Sequence, residues 1–214
     1  FKYRRTMALL RPIRLGLTLR WALAGLATGS VMALSVPAAA QFSPSYRFLN
    51  AVRDRDANKA ADLLNDAPAL VNTRDIQSGE TGLMIAVQHR DAPWVNFLLL
   101  HDADPNIADR AGNWPIIAAA SIGFADGVRS LIQHGARVNQ TNGSGETPLH
   151  LAVQRRDVVL ARVLMQAGAN PDAQDNIAGM SPRDYAAADP RAAAVLAVIT
   201  AAPVAPAGPI AGPH

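Results

Sequence analysis

The sequence predicts an all-α chain built of stacked helix pairs, and three observations carry that expectation. Half of the 214 residues are hydrophobic while only 5% are aromatic, and alanine is heavily used, which suits close-packed short helices better than a β-rich core. Gly79, Gly112, Gly145 and Gly179 recur at steps of 33, 33 and 34 residues. Three further registers keep the same step: Asn72, Asn106, Asn139 and Asp172; Ala86, Ala119 and Ala152; Leu98, Leu131 and Leu164. A fixed period of this length is the mark of a solenoid, in which each unit buries its apolar face against its neighbours.

The unit is easiest to follow over residues 145–175. Thr147 is placed to cap a helix, Pro148 occupies the first helical position where its missing N–H costs nothing, and Leu149, Ala152 and Val153 follow at helical spacing. Asp157 offers a second cap ahead of Val159, Leu160, Val163 and Leu164, and Gly168 supplies the left-handed residue that ends the second helix. Small Ala152 lets the two helices of a pair lie close. The stretch Thr147-Pro148-Leu149-His150-Leu151-Ala152 resembles the ankyrin signature, and Gln133 to Asn139 resembles the ankyrin segment between second helix and hairpin finger. The resemblance covers about residues 45–200 and implies an ankyrin-repeat solenoid, helix-turn-helix pairs joined by β-hairpin fingers.

Four repeats are expected at 45–77, 78–110, 111–143 and 144–177, with a capping half-repeat at 178–200, all within a domain spanning 41–200. The first repeat is degenerate, with Tyr46 to Val52 and Ala60 to Leu64 as its helix pair. The structural signature residues are Thr147, Pro148, Leu149 and His150 together with Gly112, Gly135, Gly145 and Gly168. The resemblance implies that His150 hydrogen-bonds within its repeat and to the neighbouring finger. Residues 79–91 and 145–157 are near copies two periods apart, and among their four differences are Gly82/Pro148 and Met84/His150. Gly82→Pro is therefore expected to stabilise by ~0.4–1 kcal/mol, provided the N–H it removes is unpaired. Residues 201–214 are Pro/Ala/Gly-rich and are expected to be disordered.

The first forty residues are of another kind. Lys2, Arg4, Arg5, Arg11, Arg14 and Arg20 occur there without an acid, an uncharged stretch follows from Trp21, and Ala38-Ala39-Ala40 precede Gln41. This is the layout of a secretory signal peptide cleaved after Ala40, with Met7 the first residue able to initiate, so the protein is expected to be exported to a periplasm. An uncleaved membrane anchor, or secretion, is the competing reading. Polar and helix-breaking residues such as Gly25, Ser30 and Pro37 dilute the stretch and leave it short for a span. Without the leader's six cations, fourteen Lys and Arg face seventeen Asp and Glu, a net of −3. A mildly acidic body gives no footprint for nucleic acid or an anionic membrane surface. No cysteine occurs, so packing alone holds the fold.

Residues that suggest chemistry have plainer explanations. Asp102-Ala103-Asp104 opens like a calcium loop, but Ile107 and Asn113 stand where that loop needs Gly and Glu. His101 and His134 end successive second helices, where a His suits the negative end of the dipole. Asn142-Gly143-Ser144 fits a glycosylation acceptor, relevant only where exported chains are glycosylated. No nucleophile elbow, phosphate loop or zinc helix occurs, so the expectation is a monomeric binding protein, with no cofactor or metal, that is not an enzyme.

Positions outside the packing pattern are free for recognition: Gln77, Glu80, Gln88, His89, Arg110, Asn113, Ser121, Ile122, Glu146, Gln154, Arg155 and Met180. Trp114 stands where other repeats have Thr81, Thr147 or Ser181, so repeat three gives up a cap worth ~1 kcal/mol for a large aromatic. An exposed Trp beside an Arg is hot-spot chemistry; the alternative is packing over the adjacent finger. The expected function is binding of a protein partner through fingers and first helices, with His89, Arg110, Asn113, Trp114, Glu146 and Arg155 as contact residues. A folding or protection factor, or an inhibitor, of one exported enzyme is the alternative.

Overall fold

The computed structural model describes residues 43–201, so the expected leader and the tail from residue 202 lie outside the described residues. Among the described residues ten α-helices follow in five pairs. They are α1 (Pro44–Arg53) with α2 (Ala57–Asp66), α3 (Gly82–Gln88) with α4 (Ala92–Leu100), and α5 (Pro115–Ser121) with α6 (Ala125–Gln133). The series continues with α7 (Pro148–Gln154) and α8 (Val158–Gln166), then α9 (Pro182–Ala188) and α10 (Ala193–Thr200). First helices α1, α3, α5, α7 and α9 pack in one row, and second helices α4, α6, α8 and α10 in another. Ala86, Ala119 and Ala152 are buried where the helices of a pair meet, and Leu98, Leu131 and Leu164 are fully buried beneath the second row. No helix among the described residues is long and apolar enough to cross a membrane.

Two expectations change. The segment 178–200, expected as a half-repeat, forms both helices of a pair, because Asp189 caps a short turn at Pro190–Ala192 that restarts the chain as α10. The fingers are loops rather than β-hairpins: among the described residues the only bridge is Arg74 with Thr81. The fingers close through the backbone hydrogen bonds Asp75 to Glu80 (2.8 Å), Asp109 to Asn113, Asn142 to Glu146 and Asp175 to Met180 (3.0 Å each), with a turn bond inside three of them from Gly79 to Asp75, Gly112 to Asp109 and Gly145 to Asn142. With so few residues inside each closing bond, no room remains for a ladder.

Caps set most helix starts. Ser43, Asp56, Thr81, Asp91, Asp157 and Ser181 each accept a backbone N–H from the first turn that follows. Repeat three has neither cap, since Trp114 and Phe124 stand at both positions. Phe124 instead lies over Gly127, where an added Cβ would come within 2.3 Å of the ring, and beneath the Arg90 guanidinium, 5.7 Å from the ring centroid.

Asparagine ties consecutive repeats together. Asn72 accepts from Asp104 N–H (2.8 Å) and donates to Asp102 O; Asn106 does the same to Arg137 N–H and Gly135 O, and Asn139 to Asn170 N–H and Gly168 O. Each therefore occupies both backbone groups of the next inter-repeat loop, which is why Asn recurs at this register. The loop glycines Gly135 and Gly168 have φ of 87° and 85°, and Asp102 holds the same turn in repeat two at φ 62°. Asp102→Gly is expected to stabilise the fold by about 1 kcal/mol, as the left-handed conformation costs an L-residue that much and Asn72 grips only the backbone there. Chemical denaturation of the pair measures it.

Gly82 needs a correction. A Cβ there would sit 3.3 Å from both the Phe48 ring and Val52 of α1, so the gain expected from proline meets crowding that Pro148 does not. Phe48 is fully buried and cannot easily yield. The revised expectation is coupling: Gly82→Pro is more favourable in a Phe48→Leu background than in the natural chain, measured by a double-mutant cycle.

Carboxylates concentrate at the last pair. Asp175 is drawn down to about 2, first by the Tyr185 hydroxyl donating to it at 2.5 Å and then by the N–H groups of Ile177, Ala178 and Gly179. Asp189 is also held to about 2, chiefly by Arg156, and Asp172 and Asp184 are lowered by Arg183 and Ser181. Because these groups lie below the carboxyl's ordinary 3.8, their stabilisation is complete above that value and is lost as pH falls toward 2. Tyr185→Phe is accordingly expected to move the acid-unfolding midpoint to higher pH, read by circular dichroism; an unmoved midpoint contradicts the assignment.

Candidate partner-binding face

The face formed by fingers and first helices is organised by paired braces. In repeat two Gln88 Nε2 donates to Glu80 Oε1 (2.8 Å) while Ser78 Oγ donates to Glu80 Oε2 (2.9 Å). In repeat four Gln154 Nε2 donates to Glu146 Oε1 and Asn142 Nδ2 to Glu146 Oε2 (2.8 Å). Each brace ties the base of a finger to the end of its helix. Repeat three has Asn113 and Ser121 at those positions, too short to meet. Asn113 turns back instead, donating from its backbone (2.8 Å) and Nδ2 (2.9 Å) to Asp109, and Ser121 Oγ donates to Ala118 O.

A third truncation coincides with these two. Ala118 stands where repeats two and four place Ile85 and Leu151. The result is an open depression of about 330 Å³ between the braces. Ile117, Ala118, Ile122 and Leu151 form its apolar part, and Gln88, Asn113, Ser121 and Asn142 its polar edge. None of the eight is charged.

The arginines on the loop between paired helices close the repeats from behind. Arg55, Arg90 and Arg156 all adopt left-handed φ, 58°, 53° and 54°. From there Arg55 reaches the next repeat's cap Asp91 (3.0 Å), Arg90 the carbonyls of Ile122 (2.7 Å) and Gly123, and Arg156 reaches Asp189 (2.7 Å). Repeat three substitutes Gly123, and Arg155 returns from repeat four to donate to Ser121 O (2.9 Å). The carbonyls at the end of α5 are thus gripped from both sides.

The structure sorts the expected contact residues. Arg110 is exposed at the tip of its finger, its backbone N–H given to Ser78 O (3.0 Å). His89 is exposed at the end of α3. Arg155 and Glu146 lie beside the depression, one on the Ser121 carbonyl and one in the brace. Asn113 lines the depression. Trp114 is half-buried and packs against the core, so its ring belongs partly to the repeat itself. Composition-based reading missed Ala118, Ile117, Leu151 and Asn142 as lining residues. Comparing the same register across repeats would have exposed them, because the signal is a set of small residues where neighbours are large.

Among signature residues, Pro148 and Leu149 are buried, and His150 is fully buried. Its Nδ1 accepts the Thr147 N–H (3.0 Å) and lies 2.9 Å from the Thr147 hydroxyl, which leaves Nε2–H to donate to Met180 O (3.2 Å) in the next finger. His150 is a bolt between repeats. Gly112 and Gly145 hold their fingers at φ 80° and 79°. His101 stacks on Phe97 with centroids 4.6 Å apart, and His134 Nδ1 lies 2.9 Å from Ser130 O.

Comparison with known proteins agrees with this geometry. Residues 83–175 match the family model described as ankyrin repeats (3 copies). Human ankyrin repeat domain-containing protein 63 is 38% identical over 97 residues, which is 44% of this chain and 25% of that protein. A putative ankyrin repeat-containing protein of Treponema pallidum (strain Nichols) is 44% identical over 71 residues, 33% of this chain and 24% of the relative. Alpha-latrocrustotoxin-Lt1a of Latrodectus tredecimguttatus is 34% identical over 125 residues, 58% of this chain and 9% of the toxin. The chain spans a quarter or less of the length of these relatives. Residues 83–175 are therefore ankyrin repeats, and the stack they form with their neighbours is an all-α solenoid of helix pairs.

Proposed function

We propose that this protein binds a protein partner through its finger and first-helix face, centred on repeat three, in an exported compartment. Ankyrin repeats mediate protein–protein interaction, which supports the class of function. The observation that carries the location is the depression between the two Glu–Gln braces, where three side chains are shortened at once. On the second helices the large exposed apolar residues are the isolated Leu100 and Val159, and the depression of about 360 Å³ between α8 and α10 is lined by Asp172 and Arg183, which pair with each other. Export is supported by the basic, then apolar, then alanine-rich order of residues 1–40.

Affinity capture with mass spectrometry tests the binding face. Arg110→Glu is expected to lose the partner recovered by the natural chain, while Arg162→Glu on α8 retains it. Equal recovery by both would remove the finger face from the interface. N-terminal sequencing of exported protein tests the leader, and a mature chain beginning upstream of Gln41 overturns cleavage after Ala40.

A further inference from the structure

We propose that the depression in repeat three is a specificity pocket for one uncharged aliphatic side chain of the partner, a step that rests on the reading of this face as partner-binding. The first argument is the local departure from the repeat. Repeats two and four fill the same three positions with Glu80, Ile85, Gln88 and with Glu146, Leu151, Gln154, and repeat three empties all three. The emptied space has an apolar part made by Ile117, Ala118, Ile122 and Leu151.

Charge decides the occupant's chemistry. No lining residue is ionisable, and the carboxylates bonded to lining residues, Glu80, Asp109 and Glu146, are already held by amide, backbone and hydroxyl donors. The guanidiniums bonded to lining residues, Arg90 and Arg155, are engaged by the Ile122 and Ser121 carbonyls. Both signs of charge therefore stand around the pocket but neither in its lining, so a charge seated on Ile117, Ala118, Ile122 and Leu151 would lose water with no ion pair inside the pocket. An aliphatic group loses nothing comparable and gains the area it covers.

The polar edge points to polypeptide. Gln88 and Asn113 each donate their amide nitrogen inside the protein, to Glu80 and Asp109. That fixes their orientation and leaves Gln88 Oε1 and Asn113 Oδ1 as acceptors at the edge of the pocket. Peptide N–H groups flanking an anchored side chain are the matching donors.

The test uses a phage-displayed library of random dodecapeptides as probe, selected on the natural chain. Enriched peptides are expected to share Leu, Ile or Val at one position and to bind at least ~10-fold more weakly once that residue is changed to Lys or Glu. Ala118→Leu combined with Ser121→Gln refills the pocket with the residues repeat four carries, and is expected to weaken the enriched peptides by a similar factor while melting like the natural chain. Ser121→Leu alone, at an exposed position, serves if the double variant does not fold. Undiminished binding to a refilled variant overturns the pocket, as does enrichment without an aliphatic position. Absence of any enrichment also overturns it, and the Arg110→Glu capture then shows separately whether partner binding by this face survives.

Discussion

His150→Ala is expected to lower unfolding free energy by on the order of 3 kcal/mol, the largest effect of any single polar residue in the stack. The substitution strands a buried Thr147 N–H, at a cost of about 1–3 kcal/mol, and removes the tie to the Met180 carbonyl, which keeps only its bond from Asp175 N–H. It also opens a cavity at a site with no solvent exposure. His150→Met, which copies Met84 of repeat two, restores volume without the hydrogen bonds and is expected to recover part of the loss. Urea denaturation monitored by circular dichroism compares the three. A loss below about 1 kcal/mol for alanine would mean that the bolt between repeats four and five carries no weight.

Gly145→Ala is the second. At φ 79° an L-residue is strained, and the added Cβ would fall 2.8 Å from the backbone nitrogen and 2.7 Å from Cγ of Asn176 in the neighbouring finger. Backbone cannot move aside as a flexible side chain can, and Asn176 N–H is already fixed to Ser144 O (2.9 Å). The expected cost is about 2–3 kcal/mol, combining conformational strain with a contact that forces the two fingers apart. Gly112→Ala separates the two contributions. It has φ 80° and nothing within 4 Å of the new Cβ, so it is expected to lose only about 1 kcal/mol. Equal losses at the two positions would show that strain alone is being measured and that finger contact adds nothing.

The architecture was legible because solenoid packing writes itself into the chain at fixed intervals. The step of 33 or 34 residues, the buried Ala86, Ala119 and Ala152, and the caps at Thr81, Asp91, Asp157 and Ser181 all follow from local chemistry that a sequence exposes. What escaped lies between repeats. Asn72, Asn106 and Asn139 were visible as a register, but their bidentate grip on the next loop depends on how the repeats stack. The copy at Pro148 invites proline at Gly82, and the crowding shows only in the positions of Phe48 and Val52 in α1.

The candidate site was legible in outline. Gln88, Asn113, Ser121 and Ile122 stood out as positions free of packing, and all four line the depression. Trp114 drew notice for its size, whereas the feature that shapes the face is the smallness of Ala118 and Ser121. Reading for large or charged residues misses a pocket made by omission. Phe124 and Gly123 belong to the same departure: repeat three loses its helix caps, and Arg90 and Arg155 hold it from the adjoining repeats.

The central claim is that a protein partner sits on the finger and first-helix face at repeat three. Site-specific photo-crosslinking in cells producing the protein tests it most directly, with the reactive residue placed at Ser121 in one variant and at Leu100 on α4 in another. One discrete partner adduct is expected from Ser121 and none of that mass from Leu100. The same adduct from Leu100, with nothing from Ser121, would contradict it.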